Sequence, residues 1–176
     1  MSDLSKLYER NAAFAASFDK AELPIKPHLS TLILTCVDAR VDPAHYAGLG
    51  LGDALTLRNV GARVTDATAL EASILWALLT MATGSEPDLE LVIIQHTQCG
   101  MARFALPEVA EKVTAKFGSP YVVNTYGISS LEESLAADVE RLRANATVPR
   151  RLKVSGHIYD VATGQMTEVV PSQTVG

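Results

Sequence analysis

Residues 31–37, Thr-Leu-Ile-Leu-Thr-Cys-Val, form a short, continuous apolar run rich in residues that favour strands. A strand buried on both faces has this pattern, whereas a strand with one solvent-facing side alternates apolar and polar residues. Similar runs occur at residues 54–57 and 89–95, and a strongly apolar helix is predicted between them over residues 66–83. Buried strands that alternate with helices predict an α/β fold with a mainly parallel central sheet flanked by helices.

The N-terminal residues 1–23 predict a helical arm that precedes this unit. Apolar side chains recur there at helical spacing, at Leu4, Leu7, Tyr8, Phe14 and Phe18. Ser2 precedes them and is a suitable cap for this helix. Pro24 and Pro27 then end any helix and carry an extended chain into the first strand. The apolar arm has no obvious place in the core of a small two-layer domain.

Capping residues mark the boundaries of two helices. Asp66 is the predicted N-cap of the long apolar helix, and Gly84 follows its last turn. Ser130 and Glu133 have the spacing of a capping box, which predicts a second helix that ends near Asn145.

Three further segments are predicted to be extended. Residues 121–124, Tyr-Val-Val-Asn, favour a short strand. Residues 151–160 and 165–170 are predicted as two strands joined by a turn at residues 162–164, Ala-Thr-Gly.

Length and charge narrow the class of protein. A chain of 176 residues with no evident linker is expected to form one domain, residues 1–176. The net charge is −5 and no run of Lys or Arg occurs, which argues against nucleic acid as a partner. The longest apolar stretch, residues 69–82, includes Glu71 and is too short to span a bilayer. Residues 1–11 lack the apolar core of a secretory signal, so a cytoplasmic protein is expected.

The two cysteines of the chain, Cys36 and Cys99, lie at predicted strand ends, and His96 stands three residues before Cys99. A disulfide or two merely packed thiols are alternatives, although a reducing compartment disfavours the first. In parallel sheets, the carboxyl ends of the strands meet at the edge where ligands bind. Two thiols and an imidazole are donors that zinc prefers, so the sequence indicates a zinc site with these three ligands.

Asp38 and Arg40 alternate with Cys36 along the extended chain, so all three side chains can face the same pocket. A structural zinc normally has four protein ligands, whereas three leave the open position of a catalytic site. Asp38 is a possible fourth ligand. The alternative for Asp38 and Arg40 is an ordinary ion pair that braces the loop.

The pattern Cys36-Val-Asp38-Ala-Arg40, followed by His96-Thr-Gln-Cys99, resembles the beta-class carbonic anhydrases, whose hallmark is C-x-D-x-R and then H-x-x-C. The similarity extends to the segment LTLRNVGARV, residues 55–64, and to the turn YDVATG, residues 159–164.

This resemblance implies Zn²⁺ bound by the Cys-His-Cys set and a catalytic dyad of Asp38 and Arg40. The implied reaction is hydration of carbon dioxide to bicarbonate by zinc-bound hydroxide. Asp38 would either hydrogen-bond the zinc-bound water or ligate zinc in a resting form. The resemblance also implies at least a homodimer, with the N-terminal arm packed on a neighbouring subunit.

Alternative functions remain open at this point. Ala39 and Met101 replace the Ser and Gly common in the family and place the chain near a shorter branch that also includes carbonyl sulfide hydrolases. A carbonyl sulfide hydrolase with the same zinc site is therefore one alternative. A non-catalytic, zinc-stabilised binding protein with Asp38 permanently on zinc is another.

Overall fold

A computed structural model of the chain describes residues 4–176. Within these residues, five strands form one sheet in the order β2-β1-β3-β4-β5. Pairs β1–β2, β1–β3 and β3–β4 are parallel, and β4–β5 is antiparallel. The strands are β1 (Thr31–Cys36), β2 (Leu55–Asn59), β3 (Glu90–His96), β4 (Lys153–Tyr159) and β5 (Met166–Thr174). The predicted α/β fold with a mainly parallel sheet is confirmed.

In the described part of the chain, six α-helices accompany the sheet. They are α1 (Leu4–Ala15), α2 (Pro43–Tyr46), α3 (Asp66–Thr83), α4 (Pro107–Phe117), α5 (Tyr121–Tyr126) and α6 (Leu131–Ala144). Two 3₁₀ turns, Val60–Ala62 and Gly100–Ala105, follow β2 and β3. None of the helices over residues 4–176 combines the length and the apolar character needed to cross a bilayer.

Strands β1 and β3 are buried on both faces of the sheet, as their composition predicts. The remaining apolar run forms β2, which lies at the edge of the sheet and is only partly buried, so the prediction of burial on both faces is wrong for this strand. On one face, Leu34 and Ile93 pack with side chains of α3 and α6, including Trp76 and Leu135, in the main core. The opposite face carries a second buried cluster, which contains Ile33, Cys36, Val41, Ala62, Ile94, Cys99, Ile128 and Tyr159. The two cysteines therefore belong to this second cluster and not to the main core.

The helix boundaries follow the predicted capping chemistry with one change. Thr65, and not Asp66, caps α3, because its hydroxyl accepts a hydrogen bond from Thr68 N at 3.2 Å and Asp66 is already helical. Gly84 ends α3 in the left-handed conformation, with φ of 73°. Ser130 caps α6 and accepts from Glu133 N at 3.2 Å, as the capping box predicts.

The predicted strand at residues 121–124 is wrong, since these residues belong to helix α5. Ser119 Oγ accepts from Tyr121 N at 3.1 Å at the start of the segment. The helix packs against α4 and the turn after β3, away from the sheet. Tertiary packing thus outweighs the strand propensity of Tyr and Val. The two extended segments predicted near the C-terminus are confirmed as β4 and β5.

The predicted N-terminal helix is present as α1, although the proposed cap Ser2 lies outside the described residues. No residue of α1 is buried. Its apolar side chains face solvent, with Leu7 59% and Phe14 52% exposed. The arm therefore leaves its apolar residues uncovered within the single chain.

Candidate metal centre

Two neighbouring parallel strands bring the predicted ligands together. Cys36 is the last residue of β1 and His96 the last residue of β3. Cys99 follows after a turn in which Gln98 takes a positive φ of 57°, and this turn brings the chain back toward β1. The ligand atoms of Cys36, His96 and Cys99 all lie within 4.8 Å of one another, and all three residues are buried.

His96 presents a nitrogen that has no hydrogen-bond partner among the described residues. Its Nδ1 lies 2.9 Å from the carbonyl oxygen of Thr97, and since a carbonyl only accepts, Nδ1 carries the proton and donates. The lone pair is then on Nε2, which is buried and unpaired. Leaving a buried polar atom unsatisfied costs free energy, and a metal ion on this lone pair would remove that cost.

The two thiols are free cysteines, so the disulfide alternative does not describe this structure. Hydrogen bonding from the Cys99 thiol lowers the pKa of Cys36 despite its burial. The same hydrogen bond to Cys36, together with burial, raises the pKa of Cys99. A cation bound between the two sulfurs would hold both as thiolates. The donor set fits zinc.

Asp38 and Arg40 form a bidentate pair beside this cluster. Arg40 Nε donates to Asp38 Oδ1 at 3.0 Å and Arg40 Nη2 to Asp38 Oδ2 at 2.8 Å, while the Arg40 backbone N donates to Oδ1 at 2.9 Å. These hydrogen bonds from Arg40 hold the pKa of Asp38 well below its usual range. Asp38 is not one of the three residues whose ligand atoms cluster. The carboxylate is therefore ionised, fixed and adjacent to the candidate site.

Arg58 is a further residue of the site, and its role was not predicted from the sequence. From β2, its Nε donates to the carbonyl oxygen of Cys36 at 3.0 Å and its Nη2 to that of Asp38 at 2.8 Å. Its Nη1 lies 3.3 Å from Asp42 Oδ2. Arg58 thus braces the backbone that carries both Cys36 and Asp38. Its place in the family-like segment LTLRNVGARV pointed to a residue of interest. Only the pairing of β1 with β2 shows that Arg58 contacts the backbone of Cys36 and Asp38.

The other three histidines lie outside the Cys-His-Cys cluster. His28 Nδ1 is 3.3 Å from Asp53 Oδ1 at an exposed position. His157 Nε2 is 3.1 Å from Ser155 Oγ, and burial lowers the pKa of His157. His45 lies in the short helix α2.

An apolar cavity of about 330 Å³ is lined by Val60, Met101, Phe104, Phe117, Val122 and Tyr126. Val60 precedes Gly61, whose backbone N contacts the Cys36 sulfur, and Met101 lies two residues after Cys99. The backbone after Cys99 forms a 3₁₀ turn and not an α-helix. An uncharged, weakly polar molecule would be accommodated better than an ion in this apolar cavity.

The α/β sheet and the buried Cys-His-Cys cluster together define a protein with a candidate metal centre at its strand ends. The carbonic anhydrase family model matches residues 31–125, more than half of the chain, and this segment contains the three clustered residues and the Asp38–Arg40 pair. The chain belongs to the beta-carbonic anhydrase family.

The chain is similar to proteins that are named for two different activities. Beta-carbonic anhydrase 1 of Mycobacterium tuberculosis is 29% identical over 161 residues, which cover 92% of this chain and 94% of the relative. The carbon disulfide hydrolase of an Acidianus species is 29% identical over 167 residues, which cover 81% of this chain and 78% of the relative. The solved carbonic anhydrase from Streptococcus mutans has a TM-score of 0.76 and 32% identity, over 96% of this chain and 98% of that chain.

Proposed function

We propose that this chain is a zinc enzyme that hydrates carbon dioxide to bicarbonate, with Cys36, His96 and Cys99 as the metal ligands. The observation that carries the proposal is the buried Nε2 of His96, which has no hydrogen-bond partner within residues 4–176 and lies beside two free thiols. Membership of the beta-carbonic anhydrase family supports the same reaction class. Zinc bound to this set would supply a water molecule acidic enough to act as a nucleophile near neutral pH.

Asp38 is proposed to orient the attacking water. Arg40 fixes both carboxylate oxygens, and the lone pairs that remain on them can accept a hydrogen bond from that water. Because the pKa of Asp38 is held far below neutral, the carboxylate aims the water without taking up its proton. The water oxygen then bonds to the substrate carbon, the electron pair of one C=O π bond moves onto its oxygen, and a proton leaves to solvent.

The same bidentate pair argues for a catalytic and not a purely structural zinc. A structural site would need a fourth protein ligand. Asp38 is the candidate because it lies two residues after Cys36. Its two oxygens already accept hydrogen bonds from Arg40, which would weaken their donation to a metal. We therefore propose that Asp38 is not a metal ligand and that the fourth coordination position is left for water.

Hydrolysis of a sulfur analogue of carbon dioxide is the second candidate function. Carbonyl sulfide and carbon disulfide are linear, uncharged molecules whose central carbon undergoes the same attack, with hydrogen sulfide as the sulfur product. The apolar cavity beside Val60 and Met101 suits such molecules, and carbon disulfide hydrolases are among the relatives. Side-by-side assays of carbon dioxide, carbonyl sulfide and carbon disulfide on one zinc-loaded preparation decide between these reactions. Turnover of none of the three would contradict the enzyme proposal.

A homodimer is proposed as the minimum assembly. The α1 arm exposes its apolar side chains, and α3 exposes a second apolar stripe at Leu70, Ile74, Leu78 and Met81. Exposed apolar patches of this kind commonly mark protein–protein contacts. Sedimentation analysis of the full chain and of Leu7→Glu tests this, and the variant is expected to shift toward monomer. A parent that sediments as a monomer would contradict the proposal.

A further inference from the structure

The backbone N of Gly61 donates to Cys36 Sγ at 3.4 Å. A hydrogen bond to a ligand sulfur withdraws charge from it and orients it, so it affects both affinity for a metal and the charge that reaches the metal. Gly61 has a positive φ of 77°, and a Cβ there would lie 3.1 Å from Met101 Cγ. The position therefore requires glycine, and the direction of its N–H depends on the loop around it.

This loop has an unfavourable backbone conformation. The residue after Gly61, Ala62, also has a positive φ, 54°, although it carries a side chain and is fully buried. A non-glycine residue in the left-handed region persists only when its surroundings hold it there. Asn59 supplies part of that restraint, since its side chain accepts from Arg63 N at 2.8 Å and donates to Arg63 O at 2.7 Å.

The rest of the restraint comes from a buried ion pair between Arg63 and Asp138, two residues that are far apart in the sequence. Arg63 Nε and Nη2 donate to Asp138 Oδ2 and Oδ1 at 2.8 and 3.1 Å, and the Asp138 side chain is fully buried in α6. Arg63 Nη1 also donates to Gly127 O at 2.7 Å. The end of the Gly61 loop is thus fixed to two other segments of the chain.

Asp138 also reaches the strand that carries His96. Gln95 Nε2 donates to Asp138 Oδ2 at 3.2 Å and to Ser134 Oγ at 3.0 Å. One carboxylate therefore contacts both the loop that hydrogen-bonds Cys36 and the residue that precedes His96. Burying an ion pair costs much of the energy it returns, so its value to the fold alone is small.

We propose that Asp138 and Arg63 are positioning residues that hold the Gly61 N–H on the Cys36 sulfur and thereby set the affinity and the electron donation of this ligand toward the metal. The inference rests on the proposed Cys-His-Cys metal site. It concerns residues that lie outside that ligand set and outside the Asp38–Arg40 pair.

The test compares Asp138→Asn with Glu140→Gln, a matched loss of one carboxylate on the same helix. Glu140 is exposed and pairs with Arg143 on the surface. Zinc affinity is measured by competition with a chelator, and the thiolate-to-metal charge-transfer band is recorded on the full chain loaded with Co²⁺. Asp138→Asn is expected to weaken zinc binding about 10-fold or more. Its cobalt band should move to longer wavelength, because a thiolate without its hydrogen bond releases charge more easily.

The outcomes separate the inference from the metal assignment. An affinity and a band in Asp138→Asn that match Glu140→Gln would overturn the inference, even if thermal stability falls, since a merely structural role lowers stability without moving the band. A parent that shows no thiolate–cobalt band would instead overturn the metal site itself. If Asp138→Asn does not fold, Arg63→Lys decides by the same two readings, because lysine keeps the charge but cannot form the fork.

Discussion

Arg40 Nη2 donates to the carbonyl oxygen of Gln98 at 3.2 Å, in addition to its bond to Asp38. The contact joins the loop after Cys36 to the turn between His96 and Cys99. One guanidinium therefore fixes the orientation of the carboxylate and the relative position of both ligand-bearing segments. The role of Arg40 depends on the geometry of its donors as well as on its charge.

Replacing either cysteine tests the metal assignment. The parent is expected to contain one zinc per chain by elemental analysis. Cys36→Ser and Cys99→Ser should each lose both zinc and turnover, because a serine hydroxyl is a much weaker zinc ligand than a thiolate. Full activity of either variant after treatment with a chelator would contradict the assignment.

Arg40→Lys tests whether turnover requires the two parallel hydrogen bonds from Arg40 to Asp38. Lysine keeps the positive charge but cannot donate from Nε and Nη2 in parallel to the two Asp38 oxygens. We expect zinc to be retained and turnover to fall by about tenfold or more, equivalent to about 1.4 kcal/mol or more in the barrier. Turnover within about twofold of the parent would indicate that the charge alone is sufficient.

Asp38→Ala separates catalytic from structural zinc. If Asp38 orients the attacking water, the variant should keep its zinc and its thermal stability while turnover falls sharply. If Asp38 were a fourth ligand, zinc affinity and stability would fall together, because metal binding free energy contributes to folding free energy. Zinc content, thermal unfolding and turnover are measured on the same preparation.

The pH profile of turnover follows from the lowered pKa of Asp38. A carboxyl with a depressed pKa is ionised throughout the neutral range, so Asp38 should add no titration between about pH 5 and 9. Two thiolates make zinc a weaker Lewis acid than three imidazoles do, so activity should rise on the alkaline side of neutral. A fall in activity as the pH rises from 6 to 9 would count against this mechanism.

Asp160, in the turn between β4 and β5, provides a pH test of stability. Its carboxylate accepts from Ala162 N at 2.9 Å and from the Thr97 hydroxyl at 3.1 Å, and these bonds lower its pKa. A depressed folded-state pKa gives stabilisation that is complete above the unfolded value of about 4 and is lost as the pH falls below it. Asp160→Asn should therefore lower the melting temperature at pH 7, and the difference should shrink below about pH 4. A difference that does not change with pH would show that charge is not involved.

Local sequence signals were sufficient for much of the fold and for the candidate ligands. A continuous apolar run predicts a strand buried on both faces, and parallel strands bring their carboxyl ends to one edge, so Cys36 and His96 were expected to meet. The capping box at Ser130 needs only neighbouring residues, and α6 begins there. The cap of α3 moved by one residue because Thr65 and Asp66 are both competent caps.

Other features depend on contacts between residues that are distant in the sequence, and no local pattern encodes them. Residues 121–124 favour a strand by composition, yet packing against α4 makes them helical. Arg63 and Asp138 are 75 positions apart, and only the folded chain pairs them. The unpaired Nε2 of His96 also appears only in the folded chain, because burial removes the water that would otherwise bond to it. Sequence therefore determined which donors are present and at which edge of the sheet they lie, and tertiary structure decided their orientation and the residues that hold them.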